Sequence, residues 1–250
     1  MHPRRRSLWA DSLRLHSEAS LGVTLFASES YVTRSEALAL HLGQRELDRP
    51  AHFLVPLRRA LARIAPGAFD APPRNPWRRA ECRGGAFRLD VCPGGDAELE
   101  AAVDAAGEMG LSVYDATTRE TSQPMRLDRQ DVLADALGDL ENGGYVVLEG
   151  GPGDDIYVQA FADEGNQLQL EAVAQHHLPL DLTRTLPCVD ALDALGFVRP
   201  TGDETPNHFT TLLSTTRRQQ RHAAERMVRA LLEGYGAAMS ETYRLRCSGT

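Results

Sequence analysis

The sequence predicts an α+β protein of two small domains, residues 20–125 and residues 126–245. Two patterns alternate along the chain: apolar residues at helical spacing, and short apolar segments typical of strands. Gly, Pro, Asn and Asp flank the short segments on both sides. Between two complete sets of elements, Thr117 to Pro124 is polar and shows no periodicity, which places the boundary between two separately folding units there. A chain of 250 residues is long enough for both units to bury a core.

The first domain is predicted to begin with one strand and two helices. Leu21 to Phe26 has the composition of a strand. Thr33 and Glu36 have the spacing of a capping box, in which each side chain accepts a hydrogen bond from the other residue's backbone N–H, and they open a helix to about Leu42. A second helix follows Pro50 and carries apolar residues at three- and four-residue spacing: Phe53, Leu54, Leu57, Leu61 and Ile64.

The rest of the first domain alternates strand and helix. A Pro-rich loop, Ala68 to Pro76, is followed by a strand at Ala86 to Val91, a helix from about Asp96 to Met109 and a strand at Leu111 to Asp115. The helix is long enough to connect two strands of one sheet, so this part has βαβ character. We therefore expect residues 20–125 to form a small α/β or α+β unit.

The second domain is organised around three short strands: Tyr145 to Glu149, Ile156 to Ala162 and Gln167 to Val173. Two turn-forming clusters separate them, Gly150 to Asp155 and Asp163 to Asn166. Because connections this short favour antiparallel neighbours, the three strands are predicted to form a meander.

Helices are predicted before and after the meander. Asp128 is placed to cap a helix that runs from Asp131 to Leu140. After the meander, the pattern predicts a helix from near Thr183 to Gly196, a short extended segment at Asn207 to Phe209 and a long helix from about Thr211 to Leu232. The predicted order is therefore helix, three-stranded antiparallel meander, helix, helix.

Side chains alternate between the two faces of the predicted meander. One face is apolar and suited to a core: Val146, Leu148, Ile156, Val158, Ala160, Leu168, Leu170 and Ala172. The other face mixes polar and aromatic residues. Either a helix or the other half of the protein covers it, or it receives an extended partner segment. We predict that five of its residues contribute to partner binding rather than to the domain's own core: Tyr145, Val147, Tyr157, Phe161 and Val173.

The charge distribution argues against nucleic acid as the main partner. Residues 81–213 carry a net charge of −18, whereas residues 1–80 carry +6 and residues 214–250 carry +4. Phosphate contacts supply most of the affinity for nucleic acid, and an acidic centre does not provide them. The chain contains no lysine, which excludes phosphate-loop lysines, Schiff bases and lysine general bases.

Cysteine spacing and the N-terminal residues predict a cytoplasmic protein. Cys82, Cys92, Cys188 and Cys247 lie far apart without a Cys-x-x-Cys spacing. No apolar run of signal-peptide length follows the first arginines, so these cysteines are expected to be reduced thiols. No apolar run approaches the roughly 18 residues that span a membrane, and we expect no membrane partner.

No motif in the sequence supports catalysis, a cofactor or a metal. Gly150 to Gly153 precedes a strand rather than a helix and no lysine follows, so we expect a hairpin turn and not a phosphate-binding loop. Asp154 and Asp155 lack the spacing of a calcium loop and a third carboxylate. His176 and His177 are adjacent, which favours a surface or core role over a zinc site. A Cys–His pair formed across the fold stays open as an alternative.

Four segments of the second half carry a family resemblance: Tyr157 to Ala160, Leu168 to Val173, Leu192 to Phe197 and Pro206-Asn207. Over residues 126–245 the chain resembles the TY-Chap family, actinobacterial-type domains related to type III secretion chaperones. The family shows a similar strand ending in an acidic residue, a helix ending in Leu-Gly-aromatic, and a Pro-Asn before an aromatic position. The chain departs from the pattern at Asn207-His208-Phe209 and at Val173-Ala174-Gln175.

The resemblance implies a secretion-chaperone-like unit that binds another polypeptide and uses no cofactor. Our main hypothesis is therefore a non-catalytic chaperone or adaptor for a protein client, with homodimerisation left open. An immunity-type inhibitor, whose acidic surface blocks a basic toxin, is the alternative. An unrecognised hydrolase is a more remote one.

Overall fold

The structure is a computed structural model in which the chain divides into two compact units, Met1–Gln123 (unit 1) and Pro124–Thr250 (unit 2). It describes residues 22–26, 32–42, 59–60, 63, 77–83, 86–91, 95–151, 155–165, 167–179, 182, 187–201, 207–214 and 216–248. The predicted loop Ala68 to Pro76 lies outside these residues. Of the predicted helix after Pro50, residues 59, 60 and 63 are described, and all three are helical.

The described elements of unit 1 alternate strands and helices. They are β1 (Gly22–Phe26), α1 (Arg34–Leu42), β2 (Trp77–Arg83), β3 (Ala86–Val91), α2 (Asp96–Glu108), β4 (Ser112–Asp115) and the start of β5 (Glu120–Arg126). The capping box of α1 is confirmed: the Glu36 N–H donates to Thr33 Oγ1 at 3.2 Å, and the Thr33 N–H donates to Glu36 Oε2 at 3.0 Å.

The described strands of unit 1 pair in the order β2-β3-β1-β4-β5, with antiparallel neighbours throughout. Since β3 and β4 both run antiparallel to β1, they are parallel to each other, and α2 connects them across β1. The βαβ character predicted here is therefore present with β1 inserted between the two strands. The sequence analysis missed β2, because four of its seven residues are charged and its sequence, WRRAECR, shows no regular apolar alternation.

The segment predicted to join two domains is a tight turn followed by a strand. Asp115 Oδ1 accepts hydrogen bonds from the backbone N–H groups of Thr117 (2.7 Å) and Thr118 (3.3 Å). β5 then begins at Glu120, and its first four residues are buried although all of them are polar. The division between the units falls inside this strand. A polar strand has no apolar alternation, which is why the sequence showed no element there.

A side-chain amide stabilises one of these buried polar residues. Gln123 Oε1 accepts the backbone N–H of Val32, and Gln123 Nε2 donates to the Val32 carbonyl, both at 3.2 Å. The amide therefore satisfies the two backbone groups that a neighbouring strand would otherwise bind.

Unit 2 contains the three strands expected from the sequence and two more. Its elements are α3 (Gln130–Gly138), β6 (Tyr145–Gly150), β7 (Ile156–Asp163), β8 (Gln167–Ala172), a 3₁₀ turn (Gln175–His177), α4 (Val189–Ala194), β9 (His208–Leu213), α5 (Arg217–Arg229), a π-helical turn (Ala230–Gly234) and β10 (Thr242–Ser248). The strands pair in the order β10-β6-β7-β8-β9, each antiparallel to its neighbours.

Several predicted boundaries in unit 2 are wrong. The last helix begins at Arg217 and not at Thr211, because β9 occupies the preceding residues and a Thr216–Gln219 capping box opens α5. Asp128 does not cap α3; its carboxylate pairs with Arg126. β10 was missed, although its apolar residues alternate with arginines. Of the helix predicted from Thr183, residues 189–194 are helical, and residues 183–186 lie outside the described residues.

The face predicted to form the core is confirmed. All eight of its residues are at most 3% exposed. α5 packs against α3 and against β8 and β9, and the π-helical turn packs against β7 and α4. These helices bury the following residues: Leu133, Leu137, Ala224, Met227, Val228 and Leu231.

The π-helical turn fits tightly between its neighbours. A Cβ on Gly234 would lie 2.8 Å from Leu192 Cδ2, so α4 occupies the space that a side chain there would need. The Cys188 N–H donates to the Gly234 carbonyl at 2.7 Å. Directly after the turn, the buried Tyr235 hydroxyl donates to the Val173 carbonyl. The turn therefore connects α5 to α4 and to the end of β8.

We predict that Gly150→Ala destabilises unit 2 because the Tyr243 ring covers this glycine. A Cβ at Gly150 would lie 2.7 Å from Tyr243 Cδ1, so the ring must shift, at a cost of about 1–3 kcal/mol in the free energy of unfolding. Urea denaturation measures the change. In a Tyr243→Leu background the same substitution should cost clearly less; an equal cost in both backgrounds would contradict the proposed clash.

Candidate functional site

The second face of the unit 2 sheet carries polar and aromatic side chains in rows across the strands. Strand pairing aligns one row through Ser248, Tyr145, Phe161, Gln169 and Thr211. The next row contains Arg246, Val147, Gln159, Glu171 and Phe209. A third row contains Arg244, Glu149 and Tyr157. We refer to these three rows as the mixed face.

The five predicted partner-binding residues differ in their exposure. Tyr145 and Phe161 are half-buried and directly opposite each other, with ring centroids 6.3 Å apart at an interplanar angle of 56°. Tyr157 is also half-buried. Val147 and Val173 are 6% and 0% exposed. These two valines therefore present no surface to a partner in this structure, which leaves Tyr145, Tyr157 and Phe161 as candidates.

Glu171 is the centre of a hydrogen-bond network on the mixed face. Its Oε2 accepts from Gln159 Nε2 at 2.9 Å and from Asn207 Nδ2 at 3.1 Å, and its Oε1 accepts from Gln169 Nε2 at 2.7 Å. Three amide donors therefore surround one carboxylate on the sheet surface.

Asn207 extends this network to Tyr157 and to the backbone. Its Nδ2 lies 3.1 Å from the Tyr157 hydroxyl oxygen, and its Oδ1 accepts the Ala174 N–H at 3.2 Å. Burial raises the pKa of Tyr157, so the hydroxyl stays protonated at neutral pH. Asn207 is itself buried. It therefore holds the chain that enters β9 against β7 and against the residues after β8.

β9 has one outer edge that is largely open within the described residues. There, one isolated bridge forms: the Val198 N–H donates to the Phe209 carbonyl at 2.7 Å, and the Phe209 N–H donates to the Val198 carbonyl at 3.1 Å. Hydrogen-bonding direction alternates along an antiparallel strand. The N–H and C=O groups of Thr211 and Leu213 therefore point to the same outer side. Leu213 is 54% exposed.

The residues that sequence reasoning missed are Asn207 as the connecting residue and the outer edge of β9. The Pro206-Asn207 pair was noticed only for its family resemblance. A second signal was the β-branched pair Thr210-Thr211, which favours a strand over the helix predicted there.

The motifs rejected for catalysis have ordinary structural settings where they are described. Gly151 has a φ of 79°, as a tight turn requires, and residues 152–154 lie outside the described residues. His176 and His177 lie in the 3₁₀ turn with ring centroids 4.0 Å apart. Within the described part of the chain, no group of three or more His, Cys, Asp or Glu residues is arranged to hold a metal ion. None of its helices is long and apolar enough to cross a membrane.

His208 is a buried ionisable residue on β9. It is 3% exposed, and its Nδ1 has no hydrogen-bond partner among the described residues. Burial lowers the pKa of this imidazole; the Arg199 charge lowers it further, while the Asp193 charge acts in the opposite direction. The folded state therefore favours neutral His208.

A comparison with known families finds a match in the second half of the chain. Residues 128–243 match the model of the family TY-Chap3, described as T3SS (YopN, CesT) and YbjN peptide-binding chaperone 3. The resemblance to the TY-Chap family over the C-terminal half is therefore confirmed. No curated protein and no solved structure matches the chain.

We predict that Asn207→Ala destabilises unit 2 more than Tyr157→Phe. The first change leaves the Ala174 N–H, Glu171 and the Tyr157 hydroxyl each with one partner fewer, whereas the second removes a single hydroxyl. We expect a loss of about 1–3 kcal/mol for Asn207→Ala and about 1 kcal/mol for Tyr157→Phe in urea denaturation. Equal losses would show that Asn207 contributes only through Tyr157.

We predict that His208 makes the protein sensitive to acid. The unfolded chain protonates this histidine below a pH of about 6.5, whereas the folded state resists protonation. Its contribution to stability is therefore fully present above that pH and is lost as the pH falls through the lowered folded pKa. Urea denaturation should show that wild type loses more stability than His208→Gln between about pH 7.5 and pH 5. Exposed His222→Gln is the control, and equal losses in wild type and His208→Gln would contradict the prediction.

Proposed function

We propose that unit 2 binds an extended segment of another polypeptide and that the protein acts as a non-catalytic chaperone or adaptor for this client. The observation that carries the proposal is the outer edge of β9. Outward N–H and C=O groups on alternate residues of an edge strand are a template for an added strand. The match of residues 128–243 to a family described as peptide-binding chaperones supports the same function.

The mixed face gives the client's side chains a surface to contact. A segment paired with β9 would extend the row that runs through Tyr145, Phe161, Gln169 and Thr211 by one position. Exposed Leu213 lies on the same side of the strand as Thr211, two residues further on. Cross-strand neighbours of this kind contribute roughly 0.2–1 kcal/mol per pair. We therefore expect the client segment to carry apolar or aromatic residues at alternate positions.

The aromatic pair is a better probe of this surface than Tyr157. Tyr145 and Phe161 contact each other, and the Phe161 side chain has no polar group. Tyr157 donates to and accepts from Asn207, so its truncation would also weaken the fold. Phe161→Ala should therefore weaken client binding with little change in melting temperature, because a half-exposed ring contributes less to stability than a core residue.

We predict that Thr211→Pro weakens strand addition without unfolding unit 2. Proline removes an N–H that points away from β8 and places a ring on the outer edge, a position that a sheet tolerates. Thr211→Ala retains the N–H and is the matched control. An array of unstructured peptides with alternating apolar and polar residues provides the probe. We expect at least about a tenfold loss of affinity for Thr211→Pro and wild-type affinity for Thr211→Ala.

Hydrogen exchange of the bound complex locates the contact. A peptide paired with β9 should protect the Thr211 and Leu213 amides in the wild-type protein. The proposal is overturned if wild type binds no peptide on the array. It is also overturned if Thr211→Pro binds every peptide with wild-type affinity and a bound peptide leaves the Thr211 and Leu213 amides of the wild-type protein unprotected.

A further inference from the structure

Helix α5 exposes a basic stripe on a unit that is otherwise acidic. Its opposite side, Ala223, Ala224, Met227 and Val228, is buried. The exposed stripe repeats at three- and four-residue spacing and consists of Arg218, Arg221, His222, Glu225 and Arg229. Residues 124–250 contain 11 arginines and 19 acidic residues, a net charge of −8. The stripe therefore reverses the sign of the charge locally.

Two exposed arginines of α5 form ion pairs, and two others form none among the described residues. Arg217 pairs with Asp135 of α3, and Arg229 pairs with Glu233 at 2.6 Å. Within the described part of the chain, Arg218 and Arg221 have no acidic partner. An exposed guanidinium without a local counter-charge retains five donors for an external anion.

A small pocket opens beside this stripe, between the end of α4 and the C-terminal half of α5. It encloses about 90 Å³ and is lined by Ala194, Leu195, His222, Glu225, Arg226 and Arg229. A cavity needs roughly 10–15 Å³ of such volume to hold one water molecule, so the pocket has room for a group of a few heavy atoms, such as a carboxylate.

Arg226 is held in this pocket by His222 and Gly196 and forms no ion pair among the described residues, although Glu225 also lines the pocket. Its Nη2 donates to His222 Nε2 at 3.2 Å. Its Nη1 lies over Gly196, where a Cβ would be 3.4 Å away. Gly196 also has a φ of 81°, so a side chain there would be strained as well as crowded. The guanidinium is thus positioned before any ligand binds.

We propose that the basic stripe and the pocket together bind an acidic stretch of a polypeptide. One carboxylate enters the pocket and pairs with Arg226, a geometry that a planar guanidinium favours. Neighbouring carboxylates of the same stretch contact Arg218 and Arg221. Buried Leu195 provides an apolar wall against which the methylene groups of a glutamate side chain pack.

The charge of the unit selects a polypeptide over a nucleic acid. A nucleic acid carries phosphates continuously along its length, so beyond the stripe it would meet the remainder of a unit whose net charge is −8 even with the stripe counted. An acidic peptide stretch is short, and the same surface would orient it towards the stripe. The site lies on α5 and α4, separate from β9, and does not depend on the function proposed above.

A labelled glutamate-rich peptide tests the proposal in fluorescence-anisotropy titrations at low salt. Arg226→Gln should weaken binding about tenfold, because the pocket is partly shielded from water. Arg221→Gln should weaken it about two- to fivefold, as expected at an exposed site. Arg126→Gln, an exposed arginine of unit 2 outside α5, is the matched control and should bind as wild type. Arg226→Lys keeps the charge and should bind better than Arg226→Gln, and melting temperatures verify the fold of each variant.

Several outcomes overturn the proposal. They are no binding of the glutamate-rich peptide by wild type, equal binding of a matched glutamine-rich peptide, or an unchanged affinity in the Arg221→Gln/Arg226→Gln double variant. Tighter binding of a single-stranded oligonucleotide would assign the stripe to nucleic acid instead. Thr211→Pro should leave the affinity for the glutamate-rich peptide unchanged, so failure at α5 and failure at β9 are distinguishable.

Discussion

The position of β9 depends on the hydrogen bonds that the Glu171 carboxylate accepts. Glu171 lies on the sheet surface, and three side-chain amides, from β7, from β8 and from the residue before β9, donate to it. Removing any one donor leaves a partly buried charge with fewer partners, which costs more than the bond itself contributes. The network therefore fixes where the chain returns to the sheet after α4. The edge that β9 presents follows from that return.

The sequence predicted local structure well where one face of an element is apolar. The eight core residues of β6, β7 and β8 alternate strictly, and all of them are buried. The capping box of α1 was equally readable, because both partners lie within four residues. Prediction failed where polar residues fill a strand. β2 and β5 have no alternation of apolar residues, and in β10 the intervening arginines obscure the alternation. These three segments are strands because of the strands they pair with rather than because of their own composition.

The candidate site was only partly predictable, for a related reason. Alternation placed Tyr145 and Phe161 on the mixed face, where the structure has them, but it did not show that Val147 on the same face is buried. Val173 lies one residue beyond the end of β8, where alternation no longer determines orientation. The outward direction of the Thr211 backbone depends on register with β8 and on the Val198 bridge. Register between segments this far apart is a tertiary property that no local pattern specifies.

The π-helical turn between α5 and Tyr235 has a consequence for the rotational phase of this part of the chain. In an α-helix successive residues are rotated by about 100° around the axis. The directions of any two side chains on one helix are therefore fixed relative to each other. The wider turn adds a residue between them and resets that phase. Met227 and Val228 can therefore pack in the core while Tyr235 still reaches the Val173 carbonyl. A homologue that lacks one residue in this turn would retain the first contact and lose the second.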